Sequence, residues 1–283
     1  MLEEGQVDKA RPFLRWAGGK RWLIKTVHEL VSNIDYNNYH EPFLGGGAIF
    51  FALMPKGKAY LADFNKELIN TYKQVKNNPC KIIDGLKILE NKEQSYYKIR
   101  ESVPNNEIDQ AIKFIYLNHT SFNGIYRVNS YGKYNVPYGF RKNYLIDEKK
   151  ISIASIALKK TYLRGGDFII SKQHIRKNDL VFLDPPYTVS HNNNGFIEYN
   201  KKLFSLNDQE RLSEFIDYIK SIGAYYILTN AAHKTIKDIF TKDGDTMLEL
   251  NRGNTIGGKN AARGQTTEYL FTNIKIKNKK EVK

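Results

Sequence analysis

Val181-Phe182-Leu183-Asp184-Pro185-Pro186-Tyr187 is the stretch that most restricts what this chain can become. Three apolar residues read as the end of a buried strand, and two prolines, which lack N–H groups, stop it. The strand end therefore carries one carboxylate, carbonyls with no N–H competing beside them, and one aromatic ring. That set suits a flat ring bearing an amine. The Asp184 carboxylate and the Pro185 carbonyl can each accept a hydrogen from an exocyclic NH2, while Tyr187 stacks on the ring face. A plain Pro-Pro turn with an N-terminal Asp is the competing reading, and the four residues alone do not separate the two.

The totals narrow the partner. A length of 283 residues suits one large α/β domain or a domain plus an insert, and 41% apolar residues can fill a sizeable core. Lys and Arg outnumber Asp and Glu by 44 to 30, a net charge of +14 that suggests a polyanion. Nucleic acid fits better than lipid, because 19 Tyr and 15 Phe accompany the charge and aromatic rings stack on bases. The lone cysteine, Cys80, rules out a disulfide framework and a cysteine-rich metal site. The N-terminus lacks a basic segment followed by an apolar run, and no window approaches a membrane span. A cytoplasmic protein without membrane or metal is the expectation.

Two glycine motifs precede the opening stretch. In Phe13-Leu14-Arg15-Trp16-Ala17-Gly18-Gly19-Lys20 the glycines read as a helix start, with exposed N–H groups and a Lys charge that could hold an anion, or as a simple turn. Glu41-Pro42-Phe43-Leu44-Gly45-Gly46-Gly47 enters an apolar helix through a loop that lets a ligand approach the backbone. Asp63 ends the next apolar segment, where an acid can accept both hydroxyls of a ribose. Loop and acid together indicate an adenosine-bearing cofactor. A tight turn with an N-cap Asp is the alternative.

Between 66 and 150 the apolar spacing is helical, with no strand run, which reads as a domain inserted into the α/β framework of 1–65 and 151–283. The insert ends in a predicted hairpin over 121–139, with Arg127, Lys133, Arg141 and Lys142 among tyrosines and phenylalanines. Arg and Asn read guanine and adenine edges, but a solvated basic hairpin has the same composition. Asn192-Asn193-Asn194-Gly195 sits where a lid would be. Ser205 and Asp208 suggest a capping box. A basic loop from Arg252 to Arg263 separates the last two strands and could touch phosphates.

In this order the motifs 13–20, 41–47, 63, 122–139 and 184–187 resemble the DNA adenine-N6 methyltransferases of the Dam type. The resemblance implies a Rossmann-like, seven-stranded, S-adenosylmethionine-binding α/β sheet with an inserted, mainly helical target-recognition domain. It implies that Trp16, Lys20, Phe43, Gly45, Gly47 and Asp63 hold the cofactor, with Asp184 shared between cofactor and base. It implies that Asp184, Pro185, Pro186 and Tyr187 grip a flipped adenine. Arg15, Asn123, Arg127, Asn129, Pro137 and Arg141 match positions that meet DNA, with Arg127 the first choice for a base contact. Arg15 stands where relatives often carry lysine, and Arg141 where some carry an aromatic residue. Double-stranded DNA is the implied partner, GATC the expected site, and a cognate restriction endonuclease a partner that such enzymes admit.

Other readings of the same residues are an RNA-adenine or cytosine-N4 methyltransferase, whose pocket also needs only an exocyclic amine, and a non-catalytic DNA-binding module. Protein-glutamine methyltransferases typically carry Asn in place of Asp184. The pair Pro79-Cys80 matches a cytosine-C5 nucleophile context but lies at a helix–helix joint, which favours a structural cysteine. His119, on a helical face, reads as a packed polar residue rather than a ligand.

Overall fold

A computed structural model describes residues 10–129, 131–140, 147–188, 204–253 and 265–276. Seven strands are formed: β1 (Tyr39–Glu41), β2 (Ala59–Asp63), β3 (Thr161–Gly165), β4 (Leu180–Leu183), β5 (Tyr225–Ala231), β6 (Thr246–Gly253) and β7 (Gln265–Thr272). They lie in one sheet in the order β3-β2-β1-β4-β5-β7-β6. β4 runs parallel to β1 and β5, whereas β7 enters antiparallel between β5 and β6. The helices are α1 (Ile24–Val31), α2 (Ala48–Leu53), α3 (Lys66–Asn77), α4 (Pro79–Lys87), α5 (Glu93–Glu101), α6 (Glu107–Thr120), α7 (Glu148–Leu158), α8 (Leu206–Ser221) and α9 (Lys234–Phe240). The seven-stranded α/β sheet expected from the sequence is therefore present.

Two compact units divide the chain. One comprises Met1–Ile24, Leu44–Pro55 and Leu61–Phe168. Its helices are set by local signals. Asn65 and Asn106 cap α3 and α6 through their side-chain oxygens, and Pro79 opens α4 at a position that needs no N–H. Leu68, Tyr72 and Val75 of α3 are wholly buried, and α3 packs along α6. After α6 the short hairpin expected is present in reduced form, without a continuous ladder. Among the described residues only Ser121 with Tyr138 and Val128 with Tyr134 form bridges. The physical reason lies in Asn123 and Gly124, both left-handed at φ 55° and 64°, which coil the entry instead of extending it.

The other unit comprises Lys25–Phe43, Lys56–Tyr60 and Ile169–Lys283. All four residues of β4 are buried, as its apolar run requires for a central strand. The capping box is real: Ser205 Oγ accepts from the Asp208 N–H, and Asp208 accepts in return from the Ser205 N–H. It starts α8, whose Leu212, Phe215, Ile216 and Ile219 are buried, and α8 packs on β5.

Candidate active site

At the end of β4, in the second unit, the backbone stops as the prolines demand, and the side chains that follow are held one after another. Asp184 is half-buried, and its Oδ1 accepts from Thr229 Oγ1 at 2.9 Å. Pro185 is buried, Pro186 half-buried. The Tyr187 hydroxyl donates to Glu268 Oε2 at 2.5 Å, a short bond of the kind expected between a phenol and a carboxylate. Thr188 donates to the Phe204 carbonyl and accepts from Gln209 Nε2, and Gln209 accepts in turn from Asn230. Thr229, Asn230, Gln209 and Glu268 are at most 1% exposed. Sequence reasoning passed over all four. Phase offered only a weak signal: in Thr267–Thr272 the acid Glu268 shares its alternation with Leu270, but Tyr269 and Phe271 place apolar residues on the opposite phase as well.

In the first unit the glycine bend is built around Asp63. The Gly45 N–H donates to Asp63 Oδ2 and the Asn65 N–H to Oδ1, each at 2.9 Å. The acid thus ties β2 to the loop. Burial, which outweighs these two donors, pushes its carboxyl up to about 6. Gly45 and Gly47 are left-handed at φ 48° and 66°. The Gly47 N–H closes a turn onto the Leu44 carbonyl at 2.7 Å, and the Tyr72 hydroxyl donates to the Gly45 carbonyl at 3.1 Å. Trp16 packs against this bend, so that a Cβ on Gly45 would sit 2.8 Å from its indole. The Trp16 ring also stacks on Tyr126, centroids 6.0 Å apart. Lys20 is buried, and its ammonium donates to the Gly18 carbonyl at 3.0 Å. Phe64, next to Asp63, is 74% exposed and was not singled out from sequence. Phe43 belongs to the second unit, where its ring meets Phe204 edge-on.

The DNA-facing candidates also fall in the first unit. Arg15 is fixed through its backbone, its N–H donating to Asn118 Oδ1 and its carbonyl accepting from Asn118 Nδ2. Its side chain lies on Gly124. Arg127 is exposed, and its Nε donates to Asn135 Oδ1 at 2.9 Å. Asn129 spends its side-chain oxygen on the N–H groups of Tyr131 and Lys133, so it shapes the turn. Asn123 and Pro137 are exposed. Arg141, the 192–195 loop and most of the 252–263 loop lie outside the described residues. His119 Nε2 donates to the Phe13 carbonyl at 2.8 Å, in keeping with a packed polar residue. Cys80 is an exposed thiol in the first turn of α4. Among the described residues no three of His, Cys, Asp or Glu form a metal-ligand group, and no helix is long and apolar enough to cross a membrane.

Comparison with known proteins adds an independent line. The model of a family described as D12 class N6 adenine-specific DNA methyltransferase matches residues 16–255. The chain is 35% identical over 284 residues to a type II methyltransferase, M1.LlaDCHI, of Lactococcus lactis subsp. cremoris, covering 96% of this chain and 98% of that protein. It is 36% identical to the type II methyltransferase M.MjaIII of Methanocaldococcus jannaschii, over 79% of this chain and 85% of that one. A DNA adenine methylase of Haemophilus influenzae is 31% identical, with 82% and 83% covered.

Proposed function

Because this chain belongs to the D12 class of N6 adenine-specific DNA methyltransferases, we propose that Asp184, Pro185 and Tyr187 hold the amine of a flipped adenine while S-adenosylmethionine provides the methyl group. The observation that carries this reading is the fixed carboxylate of Asp184 at the end of a buried strand, followed by two residues with no N–H to satisfy it locally. Carboxylate and carbonyl oxygens are the acceptors that an exocyclic amine calls for.

The residues of the first unit fit that cofactor by their chemistry. Asp63 offers acceptor lone pairs beyond its two backbone bonds, enough for a ribose diol. Phe64 offers an uncovered aromatic face for an adenine ring. The bend at Gly45 to Gly47, with Trp16 and Lys20 beside it, suits the methionine end. Phe43, which leads into that bend, and Asp184 complete the proposed set. When bound, the cofactor supplies an electrophilic methyl carbon on a sulfonium.

Adenine N6 is a weak nucleophile because its lone pair is delocalised into the ring. Asp184 and the Pro185 carbonyl accept its two hydrogens and turn the nitrogen toward sp3, freeing the pair for attack. Pro186 keeps the carbonyls in place, since its ring fixes φ. The bound cofactor would supply the methyl carbon and keep the C–S electron pair on leaving, and Asp184 would take one N6 proton and pass it to water. Orientation and electrostatics supply the rate. Tyr187 stacks on the everted base and offsets part of the few kcal/mol that flipping costs.

Residues 66–150 form the proposed recognition region on duplex DNA, with GATC as the proposed site. Arg127 has its Nε engaged by Asn135, and its two terminal nitrogens are the donors proposed for the O6 and N7 of a guanine. Asn123, Asn129, Pro137, Arg15 and Arg141 complete the proposed DNA contacts. Incubating the protein with duplex DNA and cofactor labelled in the methyl group, then digesting the DNA to nucleosides, tests the reading. Label in N6-methyladenine supports it. Label in N4-methylcytosine, or DNA bound with no label transferred, refutes it, as does transfer to RNA alone in a parallel incubation with RNA.

A further inference from the structure

Two buried residues that no step above uses converge on the amine-gripping segment. β5 and β7 pair with Ala231 opposite Glu268 and Thr229 opposite Leu270. Directly opposed residues share a face of the sheet, so Thr229 and Glu268 stand one diagonal step apart on one side. From there Thr229 reaches Asp184, and Glu268 receives the Tyr187 hydroxyl. The first and last residues of Asp-Pro-Pro-Tyr are thus held from two neighbouring strands. Glu268 is 0% exposed, and burying a carboxylate is costly unless a bond repays it. A leucine would serve the core better at that position.

We propose that Glu268 and Thr229 are positioning residues for methyl transfer: Glu268 fixes the plane of the Tyr187 ring, and Thr229 fixes the rotation of the Asp184 carboxylate. This rests on the reading of Asp184–Tyr187 as the segment that grips the amine. A stacking platform with a pinned hydroxyl presents its face at one tilt, whereas an unpinned ring samples several. A carboxylate whose Oδ1 is held by a neighbouring strand's hydroxyl is restricted in its rotation about the Cβ–Cγ bond. Neither residue touches the substrate, so each acts on the rate of the chemical step and not on the affinity for cofactor.

The test uses the full chain with duplex DNA carrying its target site. Single-turnover transfer rate, cofactor Kd by calorimetry, and melting temperature are measured for Glu268→Gln, Thr229→Val, Thr229→Ser, Tyr187→Phe, Tyr187→Phe with Glu268→Gln, and Asp184→Ala. With the carboxylate pin weakened or the donor removed, Glu268→Gln and Thr229→Val each slow transfer about tenfold or more, the order expected of a group misplaced by a fraction of an ångström. Cofactor Kd stays within about twofold of wild type, since positioning acts on the transition state. Thr229→Ser restores the rate, and Glu268→Gln adds nothing once Tyr187 has lost its hydroxyl. A 2-aminopurine placed at the target gives weaker base-dependent fluorescence changes in Glu268→Gln, which a role in folding alone would not produce. Transfer within twofold of wild type in folded Glu268→Gln and Thr229→Val, with Asp184→Ala inactive, overturns the proposal and leaves the parent reading standing. Additive losses in the double variant overturn it too. If Glu268→Gln does not fold, Thr229→Val against Thr229→Ser decides. Near-wild-type transfer by Asp184→Ala refutes the parent reading instead, and the proposal falls with it.

Discussion

The end of β4, with its two prolines, and the turn-rich segment after α6, with its asparagines and tyrosines, are both short and irregular, yet they are held in opposite ways. At 184–188 every polar side chain finds a partner on another element: Thr229, Glu268, Gln209. At 123–137 Asn129 bonds to its own turn, Arg127 bonds to Asn135 eight residues away, and Asn123, Arg127, Asn129 and Pro137 are exposed. The first arrangement allows one geometry, as chemistry on an amine requires. The second keeps side chains at the surface on a frame of local backbone bonds, so they can be exchanged without disturbing the core. On the proposed roles, the residues that would hold the amine are buttressed by the fold, and Arg127 and Asn129, which would meet DNA, by their own loop.

The contrast breaks most visibly under substitution of its two anchors. Asp184→Ala is expected to lower single-turnover transfer by about 10³-fold or more, the loss seen when a preorganised charge-bearing group is removed from a reacting centre. Calorimetric cofactor binding should survive in the same variant. Arg127→Ala should instead leave the maximal rate nearly intact while discrimination at one base of the site falls by about 1–3 kcal/mol, read from rates on single-base variants of the duplex. Equal losses of rate in both variants would erase the distinction between the regions.

A pH profile sharpens the same point for the glycine bend. Asp63 titrates at about 6 because burial raises it. Above that pH its carboxylate accepts both N–H groups and has capacity for a diol. Below it, cofactor affinity should fall about tenfold per pH unit, as for any site that needs one group ionised. Stability moves the other way. A carboxyl raised above its unfolded value binds its proton more tightly when folded, so this group adds stability as pH falls from about 6 and ceases to add it below the ordinary carboxylate range. Asp63→Asn should flatten the binding profile measured by calorimetry between pH 5 and 8.

The smallest expected difference compares two left-handed glycines. Gly45→Ala places a Cβ 2.8 Å from the Trp16 indole, on top of a backbone cost of about 1–2 kcal/mol. Gly132→Ala meets nothing within 4 Å and carries only the backbone cost. Thermal unfolding should therefore show a larger drop for Gly45→Ala. Equal drops would mean that the indole yields freely.

What the sequence revealed follows the range of each signal. β4 and its stop were legible because an apolar run and two prolines act locally. The glycine bend and Asp63 were legible for the same reason, and so was the capping box at Ser205. The buttress was not: Thr229, Asn230 and Glu268 lie 45, 21 and 81 residues from their partners Asp184, Gln209 and Tyr187. Their meaning depends on which strands become neighbours. The insertion of β7 between β5 and β6, which brings Glu268 beside β5, is a matter of topology that no spacing announces. The irregularity of 121–139 was half legible, since Asn-Gly signalled a turn but not that the turn would replace most of the ladder.

The most direct test reads modified bases in DNA from cells that express this chain, by single-molecule sequencing, beside DNA from cells expressing Asp184→Ala. The account predicts N6-methyladenine at one short motif with the native chain and none with the variant. Methylated adenine persisting at that motif with Asp184→Ala, or modification confined to cytosine, would contradict it.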